Sequence, residues 1–565
     1  MTTARQFLDR LVTEGLISEE ESRRLPEEYK EDTFPILAHL IKKGVVQHAE
    51  LGKLWGDFIG FPYVDLSKTL FQYQIVEILP DRFARKHKII LMYQFGDAIT
   101  AAMKDPGNAL VVEEVARITK SQISPVFAFP EEIEEAIDIQ YQSTDSVMEV
   151  IDKIDLDKFM EATREVSLAE LQRIAGDEAI IEFTRRLLML GIKERASDIH
   201  IEPGEGSIRV RYRIDGVLQE RLTLDKNLLA PLVSRIKVIA GVNIVEKRRP
   251  QDGRITFSLP NRSIDLRFST VPTICGEKIV LRILGQAQMR DVPDLTELYF
   301  STTALSKLEK VIDTPNGVFF VTGPTGSGKT TTLYAVLNHL NKPGINIMTI
   351  EDPVEYRLPG LNQVQVNHAI GLDFSSALRS FLRQDPDVIL VGEIRDAESA
   401  RIAAQAALTG HLVMSTMHTN NALQAVTRLI DIGVEPFLVA PSIIGVMAQR
   451  LVRRICDYCK EAYPLNPQQI EEMFYNWDGK REVLFYKGKG CPQCNYTGYF
   501  GRLAIHEIFI INDEARELIA KGASILTIQE CAERYGFMNM RYDVIKKVLR
   551  GLTTIDEVDR VTVWE

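Results

Sequence analysis

Two segments near the start of the chain share one apolar pattern, Leu11-Val-Thr-Glu-Gly15-Leu-Ile17 and Leu40-Ile-Lys-Lys-Gly44-Val-Val46. Each predicts an amphipathic helix ending at a glycine, because a chain often leaves a helix through the left-handed conformation that glycine adopts without strain. Residues 1 to about 60 therefore read as two related helical units. Gly60-Phe-Pro-Tyr-Val-Asp-Leu66 opens a mixed region that runs to about residue 140. Within it, Lys88–Tyr93 and Ala98–Met103 read as strands and Asn108–Val115 as a helix. Residues 141–175 are polar and acidic and read as a linker carrying some helix.

The period then changes. After a helix over Ala179–Leu190, Ile208-Arg-Val-Arg-Tyr-Arg-Ile214 and Ile264-Asp-Leu-Arg-Phe-Ser269 alternate strictly. Alternation sends the apolar residues to one face of a sheet and the arginines to the other, and that charged face calls for anionic partners. From about 295 to 450, segments that read as buried strands replace alternation: Gly317–Val321, Ile345–Ile350, Val388–Val391 and Leu412–Thr416. Such runs between helical stretches predict a mostly parallel sheet covered on both faces. A cysteine-bearing segment and a helical tail complete the chain.

At 565 residues the chain is too long for one core, and its 45% hydrophobic and 26% charged content is that of soluble globular protein. A net charge of −11, with Lys247-Arg-Arg249 as a short basic cluster, argues against nucleic acid as a main partner. The start is charged and lacks an apolar core, and no apolar run approaches the length of a membrane span. The sequence thus predicts a cytoplasmic protein that reaches a membrane through partners. Six cysteines in such a chain suggest metal or free thiols rather than disulfides.

The chemistry centres on Val321-Thr-Gly-Pro-Thr-Gly-Ser-Gly-Lys-Thr330, where Gly323, Gly328, Lys329 and Thr330 fill the fixed positions of a P-loop. Gly323, Pro324, Thr325, Gly326, Ser327, Gly328, Lys329, Thr330 and Thr331 would wrap the phosphates of a nucleoside triphosphate. Lys329 would bridge the β- and γ-phosphates, and Thr330 would place its hydroxyl on Mg²⁺. Asp387-Val-Ile-Leu-Val-Gly-Glu393 supplies an acidic group for that metal, Glu393, where an aspartate is usual. Thr349-Ile-Glu-Asp-Pro-Val-Glu355 puts three carboxylates at the C-terminal end of another strand, where ligands bind in open α/β sheets. His418 follows a strand end and is expected to touch the γ-phosphate. Cys456 and Cys459 pair with Cys491 and Cys494 as two C-x-x-C knuckles 31 residues apart, which suits a closed structural zinc site. A helix from Gln468 to Phe474 would loop out between them, and Cys275 and Cys531 are expected to be ordinary buried thiols.

From about Asp177 to Thr562 these motifs resemble the type II secretion and type IV pilus assembly ATPases. The resemblance rests on Ala196-Ser-Asp-Ile-His-Ile-Glu-Pro203, the P-loop, Glu351-Asp-Pro-Val-Glu355, Val391-Gly-Glu-Ile-Arg-Asp396, Thr409-Gly-His411 through His418-Thr-Asn420, the four cysteines and Gly498-Tyr-Phe-Gly-Arg502. It implies a multidomain α/β chain. A RecA-like P-loop domain (295–450) would follow a PAS-like α+β domain (176–290) and a mixed α/β N-terminal region (1–140), and precede a tetracysteine zinc module (451–505) and a helical C-terminus (506–565).

The resemblance also implies a homohexamer that holds ATP between the P-loop domain of one subunit and the preceding domain. Glu355 matches the catalytic glutamate and Glu393 the Walker B glutamate. Arg267 and Arg282 match phosphate-reaching arginines of the preceding domain, and Arg379 and Arg383 match arginines of the P-loop domain. Motion about a linker near residues 285–300 would drive an inner-membrane platform protein that adds pilin or pseudopilin subunits. ATP, Mg²⁺ and Zn²⁺ are the implied ligands.

Two departures stand out. Where some members bind cyclic di-GMP through motifs beginning Arg-Leu-Gly, this chain reads Gln6-Phe7-Leu8 and Pro35-Ile36-Leu37. Binding of that nucleotide is therefore not expected, and docking to the inner-membrane platform protein and a cytoplasmic or membrane adaptor is the expected use of the region. Asp543-Val544 stands where Asp-Gly is usual. The competing readings are a retraction motor, whose members are shorter, a regulatory adaptor of low turnover, and a nucleic-acid translocase.

Overall fold

The computed structural model describes residues 3–69, 71–154, 168–260, 263–284, 292–355, 357–465, 470 and 484–562. Two compact units divide it, Met1–Met289 and Arg290–Glu565.

The first unit opens with helices α1 (Thr3–Thr13), α2 (Glu19–Glu28), α3 (Thr33–Lys42) and α4 (His48–Ile59). Gly15 and Gly44 leave α1 and α3 at φ +73° and +67°, the left-handed exits that the repeat predicts. Each repeat is a pair of helices rather than one, since Ser18 caps a second helix by accepting from the Glu21 N–H. Phe7, Leu8, Leu11, Ile36, Leu37, Leu40 and Trp55 share one core. The positions that depart from the Arg-Leu-Gly motifs are therefore largely packing positions.

A three-stranded sheet follows, of β1 (Ile89–Phe95), β2 (Ala98–Met103) and β3 (Gln122–Phe127). β1 and β2 are antiparallel. β2 and β3 are parallel, which requires a crossover, and α5 (Ala109–Thr119) supplies it. α6 (Pro130–Gln140) closes this part. Its Glu132 is buried, accepting from the Tyr63 hydroxyl at 2.8 Å and the Phe129 N–H at 3.0 Å, with His48 Nδ1 at 3.7 Å.

Burial pushes the Glu132 carboxyl up to about 8. An acid raised above its unfolded-state value stabilises the fold fully below that value and loses the contribution as pH rises through its folded value. Hydrogen exchange in α4 and α6, corrected for intrinsic rates, should therefore accelerate from about pH 5 to about pH 8. Glu132→Gln should flatten the profile.

Helices over Thr144–Ile151 and Leu168–Ala175 occupy the described parts of the expected linker. After α7 (Glu178–Lys193) come β4 (Asp198–Pro203), β5 (Ser207–Ile214), β6 (Val217–Asp225), α8 (Leu229–Ile239), β7 (Gln251–Ser258), β8 (Ser263–Thr273) and β9 (Gly276–Ile283). They form an antiparallel sheet in the order β6-β5-β4-β9-β8-β7. Phe183 and Leu187 of α7 and Leu232 and Ile236 of α8 pack with the inward residues Ile199, Val210, Tyr212, Leu266, Phe268 and Leu281. The alternation read from the sequence is thus the boundary between core and a charged face. Part of that charge is answered inside the sheet: Glu202 accepts from Arg211 at 2.8 Å and meets Lys278 at 2.9 Å. Cys275 is half-buried in the β8–β9 turn rather than buried, because a hairpin tip has no core to enter, whereas Cys531 is buried as expected.

The second unit holds α9 (Thr302–Ile312), β10 (Gly317–Thr322), α10 (Lys329–Leu340), β11 (Ile347–Glu351), β12 (Asn362–Gln365), α11 (Phe374–Phe381), β13 (Val388–Val391), α12 (Ala397–Leu408), β14 (Leu412–Met417), α13 (Ala422–Asp431) and β15 (Ile443–Ile455). β16 (Lys460–Tyr463) and β17 (Phe485–Gly488) form a hairpin, and β18 (Tyr499–Ile510) and α14 (Met540–Leu549) follow. Seven strands order as β12-β11-β13-β14-β10-β15-β18. All neighbours are parallel except β18, which runs against β15. Successive residues of β10 enter opposite cores, Val318 and Phe320 one and Phe319 and Val321 the other, so the sheet is covered on both faces.

The boundaries expected at 450 and 505 fall inside β15 and β18. The cysteine segment is an excursion between two hydrogen-bonded neighbours of the main sheet. The helix expected over Gln468–Phe474 lies, residue 470 apart, outside the described residues, as do residues 285–291 of the expected linker. No described helix is long and apolar enough to cross a membrane.

Candidate active site and metal centre

β10, β14, β13 and β11 are consecutive neighbours, so their C-terminal ends form one edge. That edge gathers the loop after β10, His418 after β14, Glu393 after β13 and Glu351–Glu355 after β11. The loop is shaped by its glycines. Gly323 sits at φ +146° and Gly328 at φ +87°. A Cβ on Gly328 would meet the Gln449 amide nitrogen at 2.8 Å, and one on Gly323 would meet the Gln449 carbonyl and the Ser327 hydroxyl. Only residues without a side chain fit this cradle.

Ser327 Oγ is buried with no hydrogen-bond partner among the described residues. Thr330 is exposed in the first turn of α10. Lys329 folds over the loop and donates to the carbonyls of Gly323 at 2.8 Å and Pro324 at 3.1 Å. Burial holds its ammonium below the ordinary lysine range against the opposing field of Glu393. A concave backbone, an unpartnered hydroxyl, a lysine and a helix N-terminus together fit a polyphosphate. Thr330 and Glu393 are the groups that could hold its Mg²⁺.

Glu393 pairs with Arg395 at 2.7 Å and lies 3.6 Å from His418 Nε2. Burial, helped by Lys329 and Arg395, holds His418 below the usual histidine range, which leaves a neutral imidazole at neutral pH. The three carboxylates of the β11 end part company. Glu351 turns into the core, accepting from Tyr334, from Thr349 at 2.6 Å and from Gln363 at 3.3 Å. Burial raises its pKa. Glu355 stays exposed, its N–H donating to Tyr334 Oη at 3.3 Å.

The four knuckle cysteines converge. Sγ–Sγ distances are 3.7 Å for Cys456–Cys491, 3.9 Å for Cys459–Cys494 and 3.7 Å for Cys491–Cys494. A tetrahedral zinc with Zn–S bonds of about 2.3 Å needs sulfurs about 3.8 Å apart, which these three pairs match, and all four sulfurs lie within 4.8 Å of one another. The N–H groups of Cys491 and Gly498 each donate to Cys494 Sγ at 3.2 Å. The full chain is expected to carry one zinc. Cys491→Ser should remove it and open the β16–β17 excursion to proteolysis while β15 and β18 stay protected. Metal analysis and limited proteolysis check this.

A family model described as "Type II/IV secretion system protein" matches residues 173–560. The chain belongs to that family. Its relatives place it among the pilus-assembly and type II secretion ATPases. The type IV pilus assembly ATPase PilB of Myxococcus xanthus (strain DK1622) is 40% identical over 555 residues, 97% of each chain. The type II secretion system protein E of Pectobacterium carotovorum subsp. carotovorum is 44% identical over 499 residues, 86% of this chain and 98% of the relative. A second model, the MshEN domain, matches residues 59–147, the α/β region that begins as α4 ends. Among solved structures, the ATPase DotB of Legionella pneumophila aligns at TM-score 0.51 and 22% identity, over 67% of this chain and 95% of that one, a likeness of fold.

The arginines of this secretion ATPase are dispersed. Arg267 on β8 faces Arg282 on β9 in register, and both line a cleft with Asp252, Arg254 and Ser269. Asp198 accepts from Arg282 Nε at 2.8 Å. Arg379 and Arg383 are not joined to the phosphate loop among the described residues. Arg379 pairs with Glu398 in the first turn of α12, and Arg383 donates to the Arg379 carbonyl at 2.9 Å.

Three contributors escaped sequence reasoning. Tyr334 sits one turn into α10 and bonds both Glu351 and the Glu355 N–H. Thr419 meets Thr322, at the end of β10, through its hydroxyl at 2.7 Å. Gln449 lies under the loop. Thr419 belongs to the histidine segment and could have been flagged there, whereas Tyr334 and Gln449 carry no local signal.

Proposed function

We propose that the chain is a cytoplasmic ATPase, working as a homohexamer, that couples ATP hydrolysis to assembly of a type IV pilus or type II secretion pseudopilus through an inner-membrane platform protein. Its domains are read as RecA-like for the P-loop sheet and PAS-like for the preceding one. The N-terminal region is assigned to docking an adaptor, without cyclic di-GMP. What supports the reading is the convergence of the phosphate loop, Glu393 and His418 at adjoining strand ends in a chain of this family.

Glu355 takes a proton from water as its oxygen attacks the γ-phosphorus, and the bond to the bridging oxygen breaks to leave ADP and phosphate. Lys329 and the loop amides hold the β- and γ-phosphates. His418, neutral, donates a hydrogen bond to a γ-oxygen. Arg267 and Arg282 answer the charge that builds on the phosphates. Arg379 and Arg383 join this set only if Arg379 exchanges Glu398 for the nucleotide. Mg²⁺, held by Thr330 and Glu393, would supply charge neutralisation between the phosphates when bound. The cysteine site holds zinc for structure.

Steady-state ATPase activity measured against protein concentration, with light scattering on the same samples, tests the reading. Turnover should rise as hexamers form and increase further with the platform protein's cytoplasmic domain. A confirmed hexamer that stays inactive with that domain added would favour a regulatory adaptor.

A further inference from the structure

Gln449 is 1% exposed, on β15 directly beside β10. Its Nε2 donates to the Ser327 carbonyl at 2.8 Å, and its Oε1 accepts from the Thr332 hydroxyl at 2.8 Å. The amide orientation follows from chemistry, because a carbonyl accepts only and must face the nitrogen. One side chain thus ties the phosphate loop to α10. Its backbone and its amide also set the clearance that Gly323 and Gly328 require. Behind it, His506 on β18 is its register partner, fully buried and stacked on Phe300 with ring centroids 3.9 Å apart. The floor under the loop is therefore braced and cannot recede.

We propose that Gln449 is a positioning residue for nucleotide binding: it fixes the Ser327–Gly328 peptide so that the loop's N–H groups converge before any phosphate arrives. Its contribution is pre-organisation. A loop whose Ser327 carbonyl is not held can turn that peptide over and present oxygen where phosphate needs N–H. The effect falls on ground-state and transition-state binding alike, so it shows in affinity and KM rather than in kcat.

The inference rests on the reading of this loop as a nucleotide site. The test is binding of a fluorescent ADP analogue to the full-length protein, with KM and kcat for ATP alongside. Lys329→Ala serves as the control that the probe reports on the loop. Gln449→Glu keeps the acceptor for Thr332 but loses the donor to Ser327. It should weaken binding at least tenfold and raise KM in step, with saturating ATP restoring turnover, while Thr332→Val weakens binding about two- to fivefold. A merely structural role would lower kcat and the thermal midpoint without moving KM. A folded Gln449→Glu protein that binds within twofold of wild type overturns the proposal. If that variant does not fold, an unchanged affinity in Thr332→Val overturns it instead. A wild-type signal that Lys329→Ala leaves intact would show that the nucleotide-site reading itself has failed, and the inference with it.

Discussion

Glu355→Gln is expected to cut ATP turnover by roughly 10²–10⁴-fold, the usual worth of a positioned general base, and to leave nucleotide affinity unchanged. The two glutamates of the β11 end divide the work. Glu351 is 3% exposed, bonded to Tyr334, Thr349 and Gln363, and pushed toward the neutral acid by burial. It is built into the core and serves poorly as a base that must stay ionised and reach water. Glu355, four residues on, is exposed, with its backbone pinned to the same tyrosine. Gln cannot take a proton but fills the same space, so nucleotide binding and hexamer formation should survive while fibre assembly is lost. Single-turnover hydrolysis beside a binding isotherm decides the matter. Turnover above a tenth of wild type would sink the assignment. Glu351→Gln, by contrast, should show its effect in stability.

Arg267→Ala is expected to lower turnover by about 10³–10⁵-fold, the range seen for arginines that stabilise phosphoryl transfer. It should not destabilise the protein. The register explains why. Arg254, Arg267, Arg282, Asp198 and Arg213 stand opposite one another in a single row across β7, β8, β9, β4 and β5. Like charges directly opposite each other cost stability in a sheet. Asp198 answers Arg282 and Arg213, at 2.8 and 3.5 Å, and Asp265 answers Arg254 at 2.5 Å. Arg267 is exposed and is paired with no carboxylate among the described residues. Removing it relieves repulsion, so the thermal midpoint should hold or rise as activity collapses. A midpoint that falls together with activity would mark Arg267 as structural. Arg267→Lys should recover only part of the rate, because an ammonium lacks the planar fork.

Local signals carried much of this molecule. The phosphate loop was legible because its residues are contiguous and its glycines answer to backbone shape, as Gly323 and Gly328 do. The cysteines were legible because a tetrahedral metal site calls for close donor pairs, and Cys456/Cys459 and Cys491/Cys494 are such pairs. The repeat glycines Gly15 and Gly44 reported their own φ. Long-range pairings were not legible. β15 and β18 are sheet neighbours, but the cysteine excursion separates them in sequence, and the expected boundaries cut both strands. The Gln449 contacts to Thr332 and Ser327 span 117 and 122 residues. Arg379 matches a phosphate arginine by resemblance alone, and no pattern in the chain announces its pairing with Glu398.

β15 is thirteen residues of unbroken strand. It passes under the phosphate loop at Gln449 and delivers Cys456 to the four-cysteine cluster, about 23 Å further on at roughly 3.3 Å per residue. Along this stretch β18 pairs with it from Gln449 to Ile455, while the pairing with β10 ends at Ala448. The floor of the phosphate loop and the cysteine excursion are thus joined by one continuous strand.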